Sequence, residues 1–226
     1  MVSPRDVPSR TAYLDRWQDL HGGYDPRGSR IVGPWLSVVY VVARPFARAG
    51  IAPDAVTLLG LVVSAVVVWL CALGGRWVLL AAVVVGLSGL VDSLDGAVAV
   101  LTGRATRFGA VLDSVVDRAS DLLYLVALWL VGAPAWLCVA CGAVVMVQEY
   151  ARARATAVGM DDIGIVTIGE RPTRVIVVAM FLLGAGIYVA AATSWATAGA
   201  AVSLAVAVVA TAQLLLVVRR RLDGPA

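Results

Sequence analysis

The chain has 226 residues, of which 61% are hydrophobic and 15% are charged. A soluble domain is about 45–50% apolar and about 25% charged, so this composition indicates a membrane protein and leaves no room for a separate soluble catalytic domain. The net charge of +3 comes from 18 basic residues, all of them arginine, and beside long apolar stretches they favour anionic lipid over nucleic acid as a partner.

The N-terminal part of the chain is polar, whereas the remainder is strongly apolar. Residues 1–33 form a polar segment, in which we expect no cleavable signal peptide because it has no apolar core. Residues 34–226 are predicted to form one membrane domain. Apolar residues recur at helical spacing over 34–49, which predicts an amphipathic helix at the cytoplasmic membrane surface. An ordinary packed helix is the alternative.

Six apolar stretches follow, and each is long enough to cross a hydrocarbon core, which takes about 20 helical residues. They are 56–73, 77–101, 108–131, 134–157, 172–192 and 196–218. Glycine, proline or small polar residues separate them, the last break being Thr193-Ser194. Arginines gather in the N-terminal segment, the second and fourth loops and the C-terminus, with only Arg76 on the opposite side.

This asymmetry predicts that both termini are cytoplasmic. The expected fold is an all-α integral membrane protein, with six transmembrane helices preceded by the interfacial amphipathic helix. The protein is expected to be multi-pass in the cell inner (plasma) membrane.

Two pairs of aspartates interrupt the second and third spans. Asp92 and Asp95 are three residues apart and Asp113 and Asp117 are four apart, so each pair shares one helix face. Both pairs fall near the cytoplasmic ends of helices joined by a short loop, which predicts that the two faces meet. Each carboxylate would cost about 2.5–3.5 kcal/mol at the bilayer centre. Mg²⁺ or Mn²⁺ would neutralise the four acids, and two such ions suit phosphoryl displacement.

Small residues accompany the acids. Ser88, Gly96 and Ala99 lie along the side of the helix that carries Asp92, and Gly109 precedes the second pair by one turn. They would let a bulky phosphate ligand approach the backbone. The glycines alone favour helix packing through small residues, but packing does not explain four acids in register, so the whole pattern favours a site.

Together these residues read D-x2-D-G-x2-A and then G-x3-D-x3-D, from Asp92 to Asp117. The pattern resembles the signature of the CDP-alcohol phosphotransferase family. The resemblance implies that an alcohol attacks the β-phosphorus of a CDP-linked lipid and that CMP leaves. It also implies that the four aspartates bind the metal ions, that Asp113 and Asp117 are catalytic with Asp117 as general base, and that the chain forms a homodimer.

The resemblance places the nucleotide of the donor along this signature and the residues beside it. The family usually has arginine where this chain has Val100, and Arg104 and Arg107 are the nearby residues that could supply that charge instead. Before the first span the family often shows P-N-x2-T, and here residues 53–57 read P-D-A-V-T. The implied nucleotide-binding residues are Asp54, Thr57, Ser88, Asp92, Gly96, Ala99, Arg104, Arg107 and Gly109.

Arginines also gather around the fourth loop, in the segments 150–154 (Y-A-R-A-R) and 170–174 (E-R-P-T-R). Arginine suits bidentate phosphate binding, although the charge alone favours anchoring to lipid head groups. Both segments are similar to those of bacterial phosphatidylinositol-phosphate synthases, whose matching residues bind the phosphate of inositol phosphate. The implied acceptor-binding residues are Tyr150, Arg152, Arg154, Arg171 and Arg174.

The predicted reaction transfers a phosphatidyl group from CDP-diacylglycerol to a phosphorylated polyol, with inositol phosphate favoured. Glycerol phosphate and phosphatidylglycerol are alternative acceptors, as in phosphatidylglycerophosphate and cardiolipin synthases. An ion transporter with an acidic intramembrane site is the alternative from another class, but it predicts acids near the midplane and repeated halves. A catalytically silent relative is a third interpretation, against which the four retained acids argue.

Overall fold

The structure is a computed structural model that describes residues 7–20, 22–160 and 167–222. These residues contain no β-strand and form eight α-helices with two short 3₁₀ helices. In chain order the α-helices are α1 (Arg10–Leu20), α2 (Val32–Arg48), α3 (Pro53–Leu73), α4 (Trp77–Thr102), α5 (Arg107–Val131), α6 (Ala135–Ala157), α7 (Arg171–Ile187) and α8 (Ala192–Leu222).

Each of the six predicted spans corresponds to one helix, from α3 to α8, but the last predicted break is wrong. The chain leaves helical geometry at Tyr188, with φ −104° and ψ 66°, and α8 begins before Thr193-Ser194. Hydroxyl side chains compete with the backbone in a helix interior but are tolerated at a helix N-terminus. Thr193 and Ser194 therefore lie in the first turn of α8 rather than in a loop.

Three helices are long and apolar enough to cross a membrane, namely Pro53–Leu73, Trp77–Thr102 and the continuous segment Val189–Leu222 that contains α8. The other three predicted spans fall outside this group. Helix α7 has only 17 residues, and α5 and α6 carry several charged side chains. The all-helical, membrane-capable fold is confirmed, whereas the count of six spans stays a prediction.

The chain divides into two compact units, and α3, α4 and α5 each contribute residues to both. The first unit comprises Met1–Val62 and Ser88–Val116. Helix α2 buries Leu36, Val39 and Ala43, as its amphipathic spacing predicts, while its other faces keep exposed apolar side chains. The predicted N-terminal segment includes α1, whose buried Tyr13 lies against Tyr40 of α2 with ring centroids 5.6 Å apart.

The second unit comprises Val63–Leu87 and Asp117–Ala226. Helices α6 and α7 both pack against α8. The buried face of α8 consists largely of small residues, among them Ala196, Gly199 and Ala200. Small side chains let helices approach closely where lipid supplies no hydrophobic driving force between them.

Candidate active site

The connection between α4 and α5 forms a tight hairpin end. Gly103 adopts φ +65°, which glycine reaches without steric cost. The backbone N of Arg104 then donates to the carbonyl of Ala99 at 3.1 Å, a hydrogen bond that ends α4 in a Schellman turn. Thr106 caps α5, since its hydroxyl accepts from the backbone N of Gly109 at 2.9 Å. Both carboxylate pairs are positioned by this hairpin.

Three of the four predicted metal ligands converge. Asp92, Asp113 and Asp117 each place a carboxylate oxygen within 4.8 Å of the other two, and all three are partly buried. Such a set of hard oxygen donors fits a divalent ion of the Mg²⁺ or Mn²⁺ type, since carboxylates this close repel one another without a cation.

The fourth predicted ligand, Asp95, lies outside that group. It is buried, and its carboxylate accepts hydrogen bonds from the Thr57 hydroxyl at 2.7 Å and from the backbone N of Gly96 at 2.5 Å. These two donors hold Asp95 on the face of α4 that it shares with Asp92. Thr57, a predicted nucleotide-binding residue, therefore contacts an acid of the signature directly.

A cleft of about 170 Å³ opens in the first unit beside Asp95 and Asp113. Gly109 lies at its wall, where a Cβ would stand 3.1 Å from Oδ1 of Asp54 and 3.0 Å from Oγ1 of Thr106. Only glycine fits there without displacing a neighbour. The predicted nucleotide-binding residues that line the cleft are Asp54, Thr57, Gly96, Ala99, Arg104 and Gly109.

The remaining predicted nucleotide-binding residues lie elsewhere. Ser88 is fully buried in α4, Asp92 belongs to the group of three carboxylates, and Arg107 is exposed at the start of α5. The cleft thus includes most of the predicted set, and among the described residues that line it Arg104 is the cationic one. Arg104 also donates from Nη1 to the carbonyl of Gly50 at 3.3 Å.

Ion pairs surround Asp117 in the second unit. Arg171, from the N-terminus of α7, contacts the Asp117 carboxylate, and Nη2 of Arg118 lies 3.6 Å from its other oxygen. Arg152 of α6 pairs with Glu170 at 3.0 Å. By contrast, Tyr150 is 68% exposed and Arg154 is also exposed at the surface of α6. Arg152, Arg171 and Arg174 therefore lie in partly buried ion pairs, unlike the other two predicted acceptor residues.

Two acids that the sequence patterns did not single out belong to the same network. Asp121 pairs with Arg118 and with Arg174, and Glu149 pairs with Arg118 at 2.5 Å. Asp121 continues the four-residue spacing of Asp113 and Asp117, and this spacing could have identified it from the sequence as a residue on the same helix face. Its partner on α7 is distant in the sequence, so the spacing alone could not predict this contact.

The segment before α7 is fixed by a hydrogen-bonded carboxylate. Burial would raise the pKa of Glu170, but hydrogen bonds from the backbone N and hydroxyl of Thr167 and the pairing with Arg152 lower it below the ordinary 4.5. All three groups contact the same oxygen, at 2.9 to 3.0 Å. Glu170 is therefore ionised at neutral pH and connects α6 to the start of α7.

Comparison with known proteins identifies a family and several relatives of this chain. The sequence profile of the CDP-alcohol phosphatidyltransferase family matches residues 50–218. The archaetidylinositol phosphate synthase of Pyrococcus horikoshii is 29% identical over 160 residues, which are 69% of this chain and 84% of that protein. The phosphatidylinositol phosphate synthase of Mycolicibacterium smegmatis is 39% identical over 155 residues, which are 65% of this chain and 66% of that protein.

Solved structures show the same likeness. The Mycobacterium tuberculosis phosphatidylinositol phosphate synthase with CDP-DAG bound matches with a TM-score of 0.68 at 30% identity, covering 81% of this chain and 94% of that one. The same enzyme in complex with manganese and citrate matches with a TM-score of 0.67, covering 80% and 88%.

The fold and the acidic site together define a helical membrane protein with a carboxylate centre suited to phosphoryl chemistry. The chain belongs to the CDP-alcohol phosphatidyltransferase family, because the family profile matches well over half of its length. It is accordingly a membrane enzyme of phosphatidyl transfer, and the predicted family is confirmed.

Proposed function

We propose that this enzyme transfers the phosphatidyl group of CDP-diacylglycerol to inositol phosphate and releases CMP. The convergence of the Asp92, Asp113 and Asp117 carboxylates carries the proposal. The names of the relatives support inositol phosphate as the acceptor, since the bacterial relatives compared are phosphatidylinositol phosphate synthases. The donor is supported by the CDP-DAG bound to the Mycobacterium tuberculosis enzyme.

The four signature aspartates, Asp92, Asp95, Asp113 and Asp117, would hold two ions of Mg²⁺ or Mn²⁺. Manganese is present in a structure of the Mycobacterium tuberculosis relative. When bound, such ions neutralise the negative charge on the phosphoryl oxygens of the donor.

The cleft of the first unit is the proposed place of the nucleotide. Its glycine and alanine residues leave the backbone of α4 and α5 accessible to a phosphate, and Arg104 supplies positive charge. Asp113 lines this cleft, so the donor phosphates would lie next to the acidic centre.

In the proposed reaction, Asp117 accepts the proton of the attacking hydroxyl of inositol phosphate. The hydroxyl oxygen forms a bond to the β-phosphorus of the donor, and the bond from that phosphorus to the bridging oxygen breaks, so CMP leaves with that oxygen. Arg171 contacts Asp117, and this contact holds the carboxylate in place for its role as general base.

The acceptor phosphate is proposed to bind among Arg152, Arg154, Arg171 and Arg174, with Tyr150 at the edge of the site. Arg171 supports this placement because it lies at the start of α7 and already contacts the proposed base. A phosphate bound by this arginine would keep the polyol beside Asp117. Arginine suits this task because its planar fork of donors matches phosphate oxygens.

The proposed arrangement in the membrane keeps residues 34–226 as one domain with six spans, α3 to α8, and α2 at the cytoplasmic surface. Both termini and the site would face the cytoplasm in a plasma-membrane homodimer. The arginine distribution supports this orientation, with Arg219, Arg220 and Arg221 ending α8.

The test is CMP release by the purified protein with CDP-diacylglycerol and Mn²⁺ or Mg²⁺. Inositol phosphate, free inositol, glycerol phosphate and phosphatidylglycerol are compared as acceptors, and the lipid product is identified by mass spectrometry. We expect release with inositol phosphate alone. Release with glycerol phosphate or phosphatidylglycerol instead would replace the proposed acceptor while keeping the reaction type.

A further inference from the structure

Asp121 is a buried carboxylate that the proposed reaction does not use. It lies one helical turn after Asp117 and is 5% exposed. Its Oδ2 is 3.3 Å from Nε of Arg118, on the same helix, and 3.2 Å from Nε of Arg174, on α7. A buried charge requires compensating partners, and here two guanidinium groups from different helices provide them.

Arg174 is held at a second point as well. Its Nη1 donates to the carbonyl of Gly169 at 2.7 Å. Because Nε and Nη1 belong to one rigid plane, the ion pair at Nε and the hydrogen bond at Nη1 together restrict the orientation of the guanidinium. Arg174 is largely buried, with 14% of its side chain exposed.

The Gly169 carbonyl is itself immobilised. A Cβ at Gly169 would stand 2.5 Å from Cβ of Ala210, so the backbone lies directly against α8. The preceding backbone N of Ile168 donates to Oε1 of Gln213 at 3.0 Å. The Gly169 carbonyl therefore cannot move with Arg174 if the contact between Arg174 and Asp121 is lost. The orientation of Arg174 then depends on Asp121.

We propose that Asp121 is a positioning residue that orients the Arg174 guanidinium toward the phosphate of the acceptor. This inference rests on the proposed function, in which Arg174 binds that phosphate. Asp121 does not touch the substrate. It acts through Arg174, and it is neither a proposed metal ligand nor a proposed substrate ligand.

The direction in which Asp121→Asn changes the KM for inositol phosphate distinguishes a positioning role from a purely electrostatic one. Replacing Asp121 by asparagine removes a negative charge close to an anion-binding site, so an electrostatic role alone would strengthen acceptor binding. Loss of positioning would weaken it. The two explanations therefore predict opposite changes in the KM for inositol phosphate.

The experiment measures CMP release by Asp121→Asn, Arg174→Ala and the double variant in the otherwise complete protein. We expect Asp121→Asn to raise the KM for inositol phosphate at least about fivefold, and to leave kcat and the KM for CDP-diacylglycerol within about twofold. The double variant should resemble Arg174→Ala alone, because residues that act through one contact are not additive.

Glu149→Gln is the matched control. Glu149 pairs with Arg118, whereas the ion pair of Arg174 is with Asp121, so loss of the Glu149 charge should leave the acceptor KM within about twofold. Arg174→Lys tests the same contact without altering Asp121, because lysine keeps the charge but has no planar guanidinium to contact Asp121 and the Gly169 carbonyl at once. We expect it also to raise the acceptor KM. Thermal unfolding in detergent shows whether Asp121→Asn folds. If it does not, Arg174→Lys provides the test in its place.

A lowered or unchanged acceptor KM in Asp121→Asn overturns the inference, as do additive effects in the double variant or an equal effect of Glu149→Gln. An acceptor KM that Arg174→Lys leaves unchanged also overturns it. Failure of the proposed function is recognised separately, because the unaltered protein would then release no CMP with inositol phosphate.

Discussion

A substitution at Gly96 can test donor binding without destabilising the fold. It lines the cleft of the first unit, and a Cβ at this position meets no atom of the protein within 4 Å. Alanine is also the better helix former, by about 1 kcal/mol. A methyl group here would therefore occupy space proposed for the nucleotide without straining α4.

Gly96→Ala is expected to raise the KM for CDP-diacylglycerol at least about fivefold, the effect of losing about 1 kcal/mol of binding free energy. Its midpoint of thermal unfolding should stay equal to that of the unaltered protein or rise. Gly86→Ala, on the same helix and likewise in open space, is the control: its unfolding midpoint should also stay equal or rise, but its donor KM should not change. An unchanged donor KM in Gly96→Ala would place the nucleotide elsewhere.

The acidic site was predictable from spacing, whereas its ion pairs were not. Asp92, Asp113 and Asp117 converge because acids three or four residues apart share a helix face and a short hairpin joins the two helices. Asp95 departs from the group because Thr57 binds it. The contact of Asp117 with Arg171 depends on how α7 packs, and helical periodicity contains no information on that.

At the scale of elements, the segment that leads into α7 depends on the charge of Glu170. The folded pKa of Glu170 lies below the ordinary 4.5, so the unfolded chain binds its proton more readily. The ionised carboxylate therefore stabilises the fold above about pH 4.5, and this contribution is lost as the pH falls through the lower, folded pKa.

Glu170→Gln should consequently lower the midpoint of thermal unfolding at pH 7, because glutamine cannot pair with Arg152 as a carboxylate does. The difference between the variant and the unaltered protein should shrink as the pH falls below about 4.5. Thermal unfolding in detergent from pH 3.5 to pH 7 measures it. A difference that stays constant over this range would show that the Glu170 charge does not hold the segment.

The apolar helices were predictable, and the polar first helix was not. Continuous apolar runs fix α3 to α8 to within a few residues, except where small polar residues begin α8. Helix α1 is short and mostly polar, and packing of its buried Tyr13 and Leu14 stabilises it. Short helices owe their stability chiefly to such tertiary contacts, which a local pattern does not reveal.

For the whole molecule, the proposed topology places the α3–α4 connection outside the cell and the α6–α7 connection inside. Replacing the three cysteines of the chain, Cys71, Cys138 and Cys141, by alanine gives a background without thiols. Arg76→Cys should then react with a membrane-impermeant maleimide in intact cells. Val158→Cys should react only after permeabilisation, and the reverse pattern would contradict the proposed orientation.

The most direct test of the account is whether CMP release depends on both a divalent ion and Asp113. Chelation should abolish release with CDP-diacylglycerol and inositol phosphate, and Mn²⁺ or Mg²⁺ should restore it. Asp113→Asn should lose at least about 100-fold in kcat/KM, equivalent to about 2.7 kcal/mol of transition-state stabilisation. Ser114→Ala, at the exposed neighbouring position, should keep full activity. Release that survives chelation, or that persists in Asp113→Asn, would contradict the assignment of the aspartates as the catalytic metal centre.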